Sequence, residues 1–257
     1  MTRPNILVIA GHDPSGGAGI QADIESAAAN GAHAATVVTL LTCQDTTNVY
    51  GVSPVEIGFF RRCLDTAIAD MSFGAIKIGV VADVAQVAAI AELVQARPDI
   101  PLVVDPVLRA AGGGTLAGDA VGQALRDQLF AHATVITPNA AEARLLCDGE
   151  SELARCGERL SRTGGHALIT GGDEDGAAVV NRGFVAGRLA HTYEWPRVPG
   201  VFHGSGCTLA SAIAARLACG DATERALAQA QDYTWRAIEH GFAAGRGQRI
   251  PDRRPLP

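Results

Sequence analysis

The feature that most constrains this chain is a rhythm. Short apolar runs rich in Val and Ile recur at residues 5–10, 36–41, 75–79, 102–105, 134–137 and 167–170, with longer amphipathic stretches between them. Strands buried on both faces read as continuous apolar runs, and a helix after nearly every one makes βαβ units. The pattern predicts a parallel sheet covered on both faces, a three-layer α/β/α arrangement. From residue 177 the rhythm changes. AAVVNRGFVAGRLAHTYEW carries turn signals at Asn-Arg-Gly and Gly-Arg between short alternating runs, which predicts an antiparallel edge. Two helices, over 206–219 and 222–240, close the pattern. Earlier, SPVE at 53–56 predicts a helix start, with Ser53 as cap, Pro54 at the first helical position and Glu56 closing a capping box. No linker, repeat or low-complexity segment divides residues 1–257, so a single domain is expected.

Composition narrows the partners. The chain is 47% hydrophobic and 19% charged, enough for a sizeable core. A net charge of −6 argues against a nucleic-acid partner, whose phosphates demand a basic face. Arg246, Arg249, Arg253 and Arg254 form the one basic cluster, expected to be a loose tail. No run approaches ~18 apolar residues, so no membrane span is expected. The run in MTRPNILVIA is too short for a signal peptide. Cys43, Cys63, Cys147, Cys156, Cys207 and Cys219 include no C-x-x-C pair. They are expected to be reduced thiols of a cytoplasmic protein, most of them small core residues. Lys77 is the single lysine among 21 Lys and Arg residues.

In open parallel sheets, ligands bind beyond the carboxyl ends of the strands. Gly11, Gln44, Asp105, Asn139 and Thr170 stand at those ends. AGHDPSGGAGIQAD, residues 10–23, follows the first strand. Its spacing is not that of a dinucleotide fingerprint, and a Walker loop would need a lysine that only position 77 supplies. It is either a flexible turn or a loop whose glycines let a small ligand approach the backbone. In HGSGCTLASAIAA, residues 203–215, two glycines bracket a serine at the start of an apolar helix. Free N–H groups converge there, which makes an anion site, and Cys207 lies in the first turn, where the helix dipole favours thiolate. The alternative is a plain cap with a buried cysteine. In TPNAAE, residues 137–142, Asn139 and Glu142 make a capping box. Asp105, in VVDPV, is either a strand-end acid or, with Glu142, a ligand pair for a hydrated Mg²⁺.

Taken in order, AGHDPSGGAGIQAD, TLLTCQDT, KIGVV, VVDPV, TPNAAE and HGSGCTLASAIAA resemble the hydroxymethylpyrimidine/phosphomethylpyrimidine kinases of thiamine biosynthesis, in the ribokinase-like superfamily. The resemblance runs from about residue 5 to residue 245. It implies a ribokinase-like fold, ATP and Mg²⁺ as cofactors, and phosphorylation of 4-amino-5-hydroxymethyl-2-methylpyrimidine and then of its monophosphate. It assigns Gln44 to the pyrimidine edge, with Gly11, Asp13, Asp23 and Val107 as further substrate-binding residues. It assigns Gly204, Ser205 and Gly206 to the anion hole and Cys207 to the catalytic base. Asn139, Glu142, Thr170 and Gly172 would meet the nucleotide, and Asp105 and Glu142 the metal. A homodimer is implied as well. An amide side chain suits an aminopyrimidine independently, since it donates and accepts at once.

The chain departs from the family at three places. Thr170-Gly171-Gly172-Asp173 stands where Lys-Gly-Gly-His is usual, His12 where a small Ser or Thr is common, and the loop after Val107 holds a bare Gly112-Gly113-Gly114. Lys77 either compensates for the lost cation or covers apolar surface at the core edge. The 109–115 segment is the expected mobile flap. Two other readings stay open: a pyridoxal or pyridoxine kinase of the same superfamily, and a catalytically silent pyrimidine-binding regulator.

Overall fold

The computed structural model describes residues 3–108, 118–162 and 165–254. The expected flap and the glycine triplet lie outside these residues. Six strands run parallel: β1 (Asn5–His12), β2 (His33–Gln44), β4 (Ala75–Ile78), β5 (Leu102–Val104), β6 (Val135–Ile136) and β7 (His166–Ile169). Each corresponds to one of the six apolar runs. β3 (Val49–Pro54) pairs antiparallel with β2, while β8 (Ala178–Val185) and β9 (Arg188–Pro196) extend the other side. The strand order is β3-β2-β1-β4-β5-β6-β7-β8-β9, so both edges are antiparallel.

Alternation along the parallel strands feeds two apolar layers. Leu7, Ile9, Ile76, Ile78, Leu102 and Val104 face α2 (Ile57–Asp70), α3 (Val84–Ala96), α4 (Asp119–Gln128), α5 (Ala140–Leu146) and α6 (Leu153–Leu160). Ile6, Val8, Ala75, Val103, Val135 and Leu168 face α1 (Gly19–Ala29), α7 (Ser205–Ala218) and α8 (Thr223–Glu239). In the second layer α7 contributes Ala210, Ala212, Ala214 and Ala215, small residues that let that helix lie close to the sheet.

Four expectations fail locally. Ser53 and Pro54 end β3 instead of starting a helix. Glu56 is itself the cap of α2, its carboxylate accepting from the N–H groups of Gly58 and Phe59 at 2.7 and 2.9 Å. Asn181-Arg182-Gly183 lies inside β8, with a bulge at Gly183/Phe184; the hairpin turns at Ala186-Gly187, where both residues have positive φ. Only Cys147 and Cys156 of the six cysteines are fully buried, Cys63 and Cys207 being partly buried and Cys43 and Cys219 exposed. The basic cluster is not a loose tail either: the Arg249 side chain donates to Gly241 O and lies over Phe202, and Arg253 is 2% exposed.

The strand order reverses between β1 and β4, the place where a crevice opens in a doubly wound sheet. A cavity of about 800 Å³ opens at this end of the sheet, along the carboxyl ends of β1, β4, β5, β6 and β7.

Candidate active site

Two glycine-rich loops meet over the carboxyl ends of the central strands. The first, between β1 and α1, is folded around Asp13, which is 1% exposed. Its carboxylate accepts from Ser15 N at 2.8 Å, Ser15 Oγ at 3.0 Å and Ala18 N at 2.8 Å. It also bonds His203 Nε2 at 2.8 Å, across 190 residues of sequence. Burial would raise this carboxyl, but the hydrogen bonds from His203 and Ser15 prevail and hold it at about 2. Asp13 borders the cavity, yet its oxygens are occupied by the loop. The structure gives it the task of shaping the loop.

The second loop starts α7. Gly204 is left-handed, at φ 82°, and a Cβ there would overlap Gly17 O. Glycine is required on both counts: conformation and close approach. Arg253 locks the same junction. Its guanidinium donates to Gly17 O and to Thr208 Oγ1 (2.8 Å), and Thr208 Oγ1 donates to Gly204 O (2.8 Å). The Asp13–His203 bond and Arg253 thus tie the glycine loop to the turn that opens α7.

Ser205, Gly206 and Cys207 open α7 and border the cavity, with Asp105 facing Gly206 from the end of β5. The expected thiolate is not found. Burial pushes the Cys207 thiol up to about 12, and Lys77 only partly offsets it, so desolvation outweighs the helix dipole. Burial also raises the carboxyls of Asp105 and Glu142; Lys77 works against the rise at Asp105, and Asp105 adds to it at Glu142. The capping box is present: Asn139 Oδ1 accepts from Glu142 N (2.8 Å), and Glu142 Oε2 from Asn139 N (3.0 Å).

Gln44 borders the same cavity from the end of β2, and its side-chain amide makes no hydrogen bond to another described residue. Gly11, Val107, Thr170 and Gly172 line the wall as well. The structure therefore brings together all the expected site residues except Asp23. That residue is completely buried below the floor, where Oδ1 meets Lys77 Nζ at 2.8 Å. Paired with Asp23, Lys77 neither stands among the cavity residues beside Thr170–Asp173 nor covers the core edge.

The unusual Thr170–Asp173 segment is satisfied internally. Asp173 accepts from Ala140 N and Ala141 N at 3.1 and 2.8 Å, a second cap for α5. Arg197 donates to the carbonyls of Gly172, Glu174 and Gly176, bracing this loop from the far end of β9. The only two tryptophans, Trp195 and Trp235, stack at the cavity wall with ring centroids 6.1 Å apart. Their rarity was the available signal. His203 opens HGSGCTLASAIAA with no role legible from the sequence, and nothing local marks Arg197 or Arg253.

The family model described as phosphomethylpyrimidine kinase matches residues 13–252. A hydroxymethylpyrimidine/phosphomethylpyrimidine kinase of Streptomyces coelicolor is 36% identical, over 96% of this chain and 93% of that relative. A probable thiamine biosynthetic bifunctional enzyme of Oryza sativa is 35% identical over 98% of this chain. The chain spans about half the length of such bifunctional relatives, 47% in that case. Among solved structures, the ADP complex of Bacillus subtilis pyridoxal kinase has a TM-score of 0.89 at 27% identity, covering 98% of each chain. Phosphomethylpyrimidine kinase from Clostridium difficile 630 has a TM-score of 0.74 at 29% identity, covering 91% of this chain and 99% of that one.

Proposed function

From the premise that the chain belongs to the phosphomethylpyrimidine kinase family, we propose that it transfers the γ-phosphoryl group of ATP to hydroxymethylpyrimidine and then to its monophosphate. The observation that carries this reading is the meeting of Gln44, the first glycine loop and the α7 anion hole in one cavity. Gln44 supplies a donor and an acceptor to the aminopyrimidine edge, and the bare backbone around Gly11 leaves room for the ring. The N–H groups of the first α7 turn face the transferring phosphoryl group, where preorganised donors are worth most. The nucleotide's phosphates run past Asn139, Thr170 and Gly172 toward that turn.

In the transfer, the substrate hydroxyl oxygen bonds to the γ-phosphorus as the bond to the β-γ bridging oxygen breaks. The electron pair of that bond leaves with ADP. Cys207 is the acceptor for the hydroxyl proton. Burial favours the neutral thiol, so this role requires that the thiol first give its proton to bulk water as the site fills. Phosphoryl transfer through a loose transition state demands little of a base until late, which is compatible with this role.

Mg²⁺ fits the acidic floor. Asp105 Oδ2 is buried without a hydrogen-bond partner. No group of three or more potential ligands occurs among the described residues, whereas Mg²⁺ takes one or two carboxylates and keeps its waters. Asp105 and Glu142 would hold it, Glu142 through oxygens that already cap α5. The ion would supply neutralising charge for the phosphates.

A cytoplasmic location is part of the reading, consistent with six unpaired thiols. No described helix is long and apolar enough to cross a membrane. We place a homodimer contact on the β2–β3 ribbon, where Leu41, Tyr50 and Val52 are exposed; size exclusion tests it. A second reading, pyridoxal kinase, is favoured by the closer structural match to that enzyme. ADP release measured with ATP and either hydroxymethylpyrimidine or pyridoxal separates the two. A higher kcat/KM for pyridoxal would displace the pyrimidine reading, and no release with either would point to a silent binding protein.

A further inference from the structure

The transfer as described leaves one buried feature unused. Lys77 and Asp23 are both completely buried, their charges 2.8 Å apart, and Ser211 Oγ donates to the same Asp23 oxygen at 2.7 Å. Its in-register neighbours on this face are aliphatic: Val8 and Val103 flank Lys77, with Ile6 and Ala75 nearby. Burying two charges in such a layer costs several kcal/mol each, and hydrophobic residues of similar volume are often as stable or more so. Stability alone gives no reason for the pair.

Its position supplies one. Val8 and Val103 lie two residues before Ala10 and Asp105, both at the cavity floor. The Lys77 side chain extends toward that floor: a Cβ on Gly79 would come within 2.8 Å of Nζ and 3.0 Å of Ala10 Cβ. Gly79 thus leaves space for the ammonium directly below the site. Asp23 lies one turn into α1, the helix that follows the first glycine loop. Ser211 lies one turn after Cys207 on α7. Asp23 Oδ2 and Asp105 Oδ2 are both buried without partners, so the floor carries more negative than positive capacity and Lys77 is its fixed cation.

We propose that Lys77, held by Asp23 and Ser211, is a positioning residue for phosphoryl transfer, its ammonium stabilising the negative charge that gathers at Cys207 and the reacting oxygen. The inference rests on the kinase reading above. A fixed charge in a dry site needs no reorganisation when charge develops, which is why it acts on turnover more than on binding.

The test uses the full chain as wild type, Lys77→Met, the double variant Asp23→Leu/Lys77→Met, and Ser211→Ala. Thermal melts, calorimetric titration with hydroxymethylpyrimidine and with ATP, and ADP release are measured for each. Lys77→Met is expected to melt lower, since Asp23 is left buried and unpaired. The double variant should melt near wild type and bind both ligands within about threefold, while kcat falls by ~10²-fold, the scale of one lost electrostatic contact in a site of this kind. Ser211→Ala, which leaves both charges, should lose less than about tenfold on the same scale.

A double variant with wild-type kcat overturns the proposal. So does a loss confined to ligand affinity, or a Ser211→Ala loss as large as the double variant's, which would indicate packing and not charge. Wild type without pyrimidine-dependent ADP release overturns the kinase reading and this inference together.

Discussion

In the proposed reading, Gln44 is the residue on which substrate choice turns. Its amide meets the cavity unengaged by other described residues, so a ligand that fails to use it leaves a polar group unpaired. Such a mismatch costs about 1–3 kcal/mol, more than a missing methyl usually does. Gln44→Leu is expected to weaken pyrimidine binding by that amount in calorimetric titration, with ATP binding unchanged. Pyridoxal lacks the same donor–acceptor edge and should lose less; equal losses would favour the pyridoxal reading. At Cys207 the expectation concerns turnover. Cys207→Ala should lower kcat by roughly 10²–10⁴-fold, the range of a lost general base, with little change in pyrimidine affinity. Near-normal turnover would remove the sulfur from the proton path.

Among the elements, α5 combines capping and charge. Glu142 closes its capping box and faces Asp105, so two substitutions separate the functions. Glu142→Gln keeps the box and should change stability by less than about 0.5 kcal/mol, whereas Glu142→Ala should cost about 1 kcal/mol in denaturant melts. Both should raise the Mg²⁺ concentration needed for half-maximal ADP release. An unchanged Mg²⁺ titration in both would leave Glu142 a cap and nothing more. This box was legible because its partners are three residues apart. So were the six central strands, whose apolar runs encode burial on both faces. β3 was not: its residues are mostly exposed, and Ser53-Pro54 imitates a helix start. Asp23 was misplaced because its partner, Lys77, lies 54 residues away, and a buried ion pair leaves no periodic trace.

Across the whole molecule, the Asp13–His203 bond sets a pH dependence. A carboxyl held at about 2 when folded, against an ordinary value near 3.9 when unfolded, binds fewer protons in the native state. Its contribution, on the order of 2 kcal/mol, is fully present above about pH 4 and is lost as pH falls through about 2. In urea melts, wild type should exceed Asp13→Asn in stability at pH 6, and the gap should shrink by about half at pH 3. A gap independent of pH would mean that Asp13 acts by shape alone.

Arg253 reaches back 237 residues to Gly16, and that span has a consequence for how the molecule is made. The loop at residues 13–19 leaves the ribosome 190 residues ahead of His203 and 237 ahead of Arg253, the residues that tie it to the α7 turn. At about 5–20 residues per second, the loop waits on the order of ten to fifty seconds for its second tie. The central parallel strands are synthesised within that interval and can pair while the loop above them is still open. The loop is therefore made before the strands that come to flank it and closed only after them.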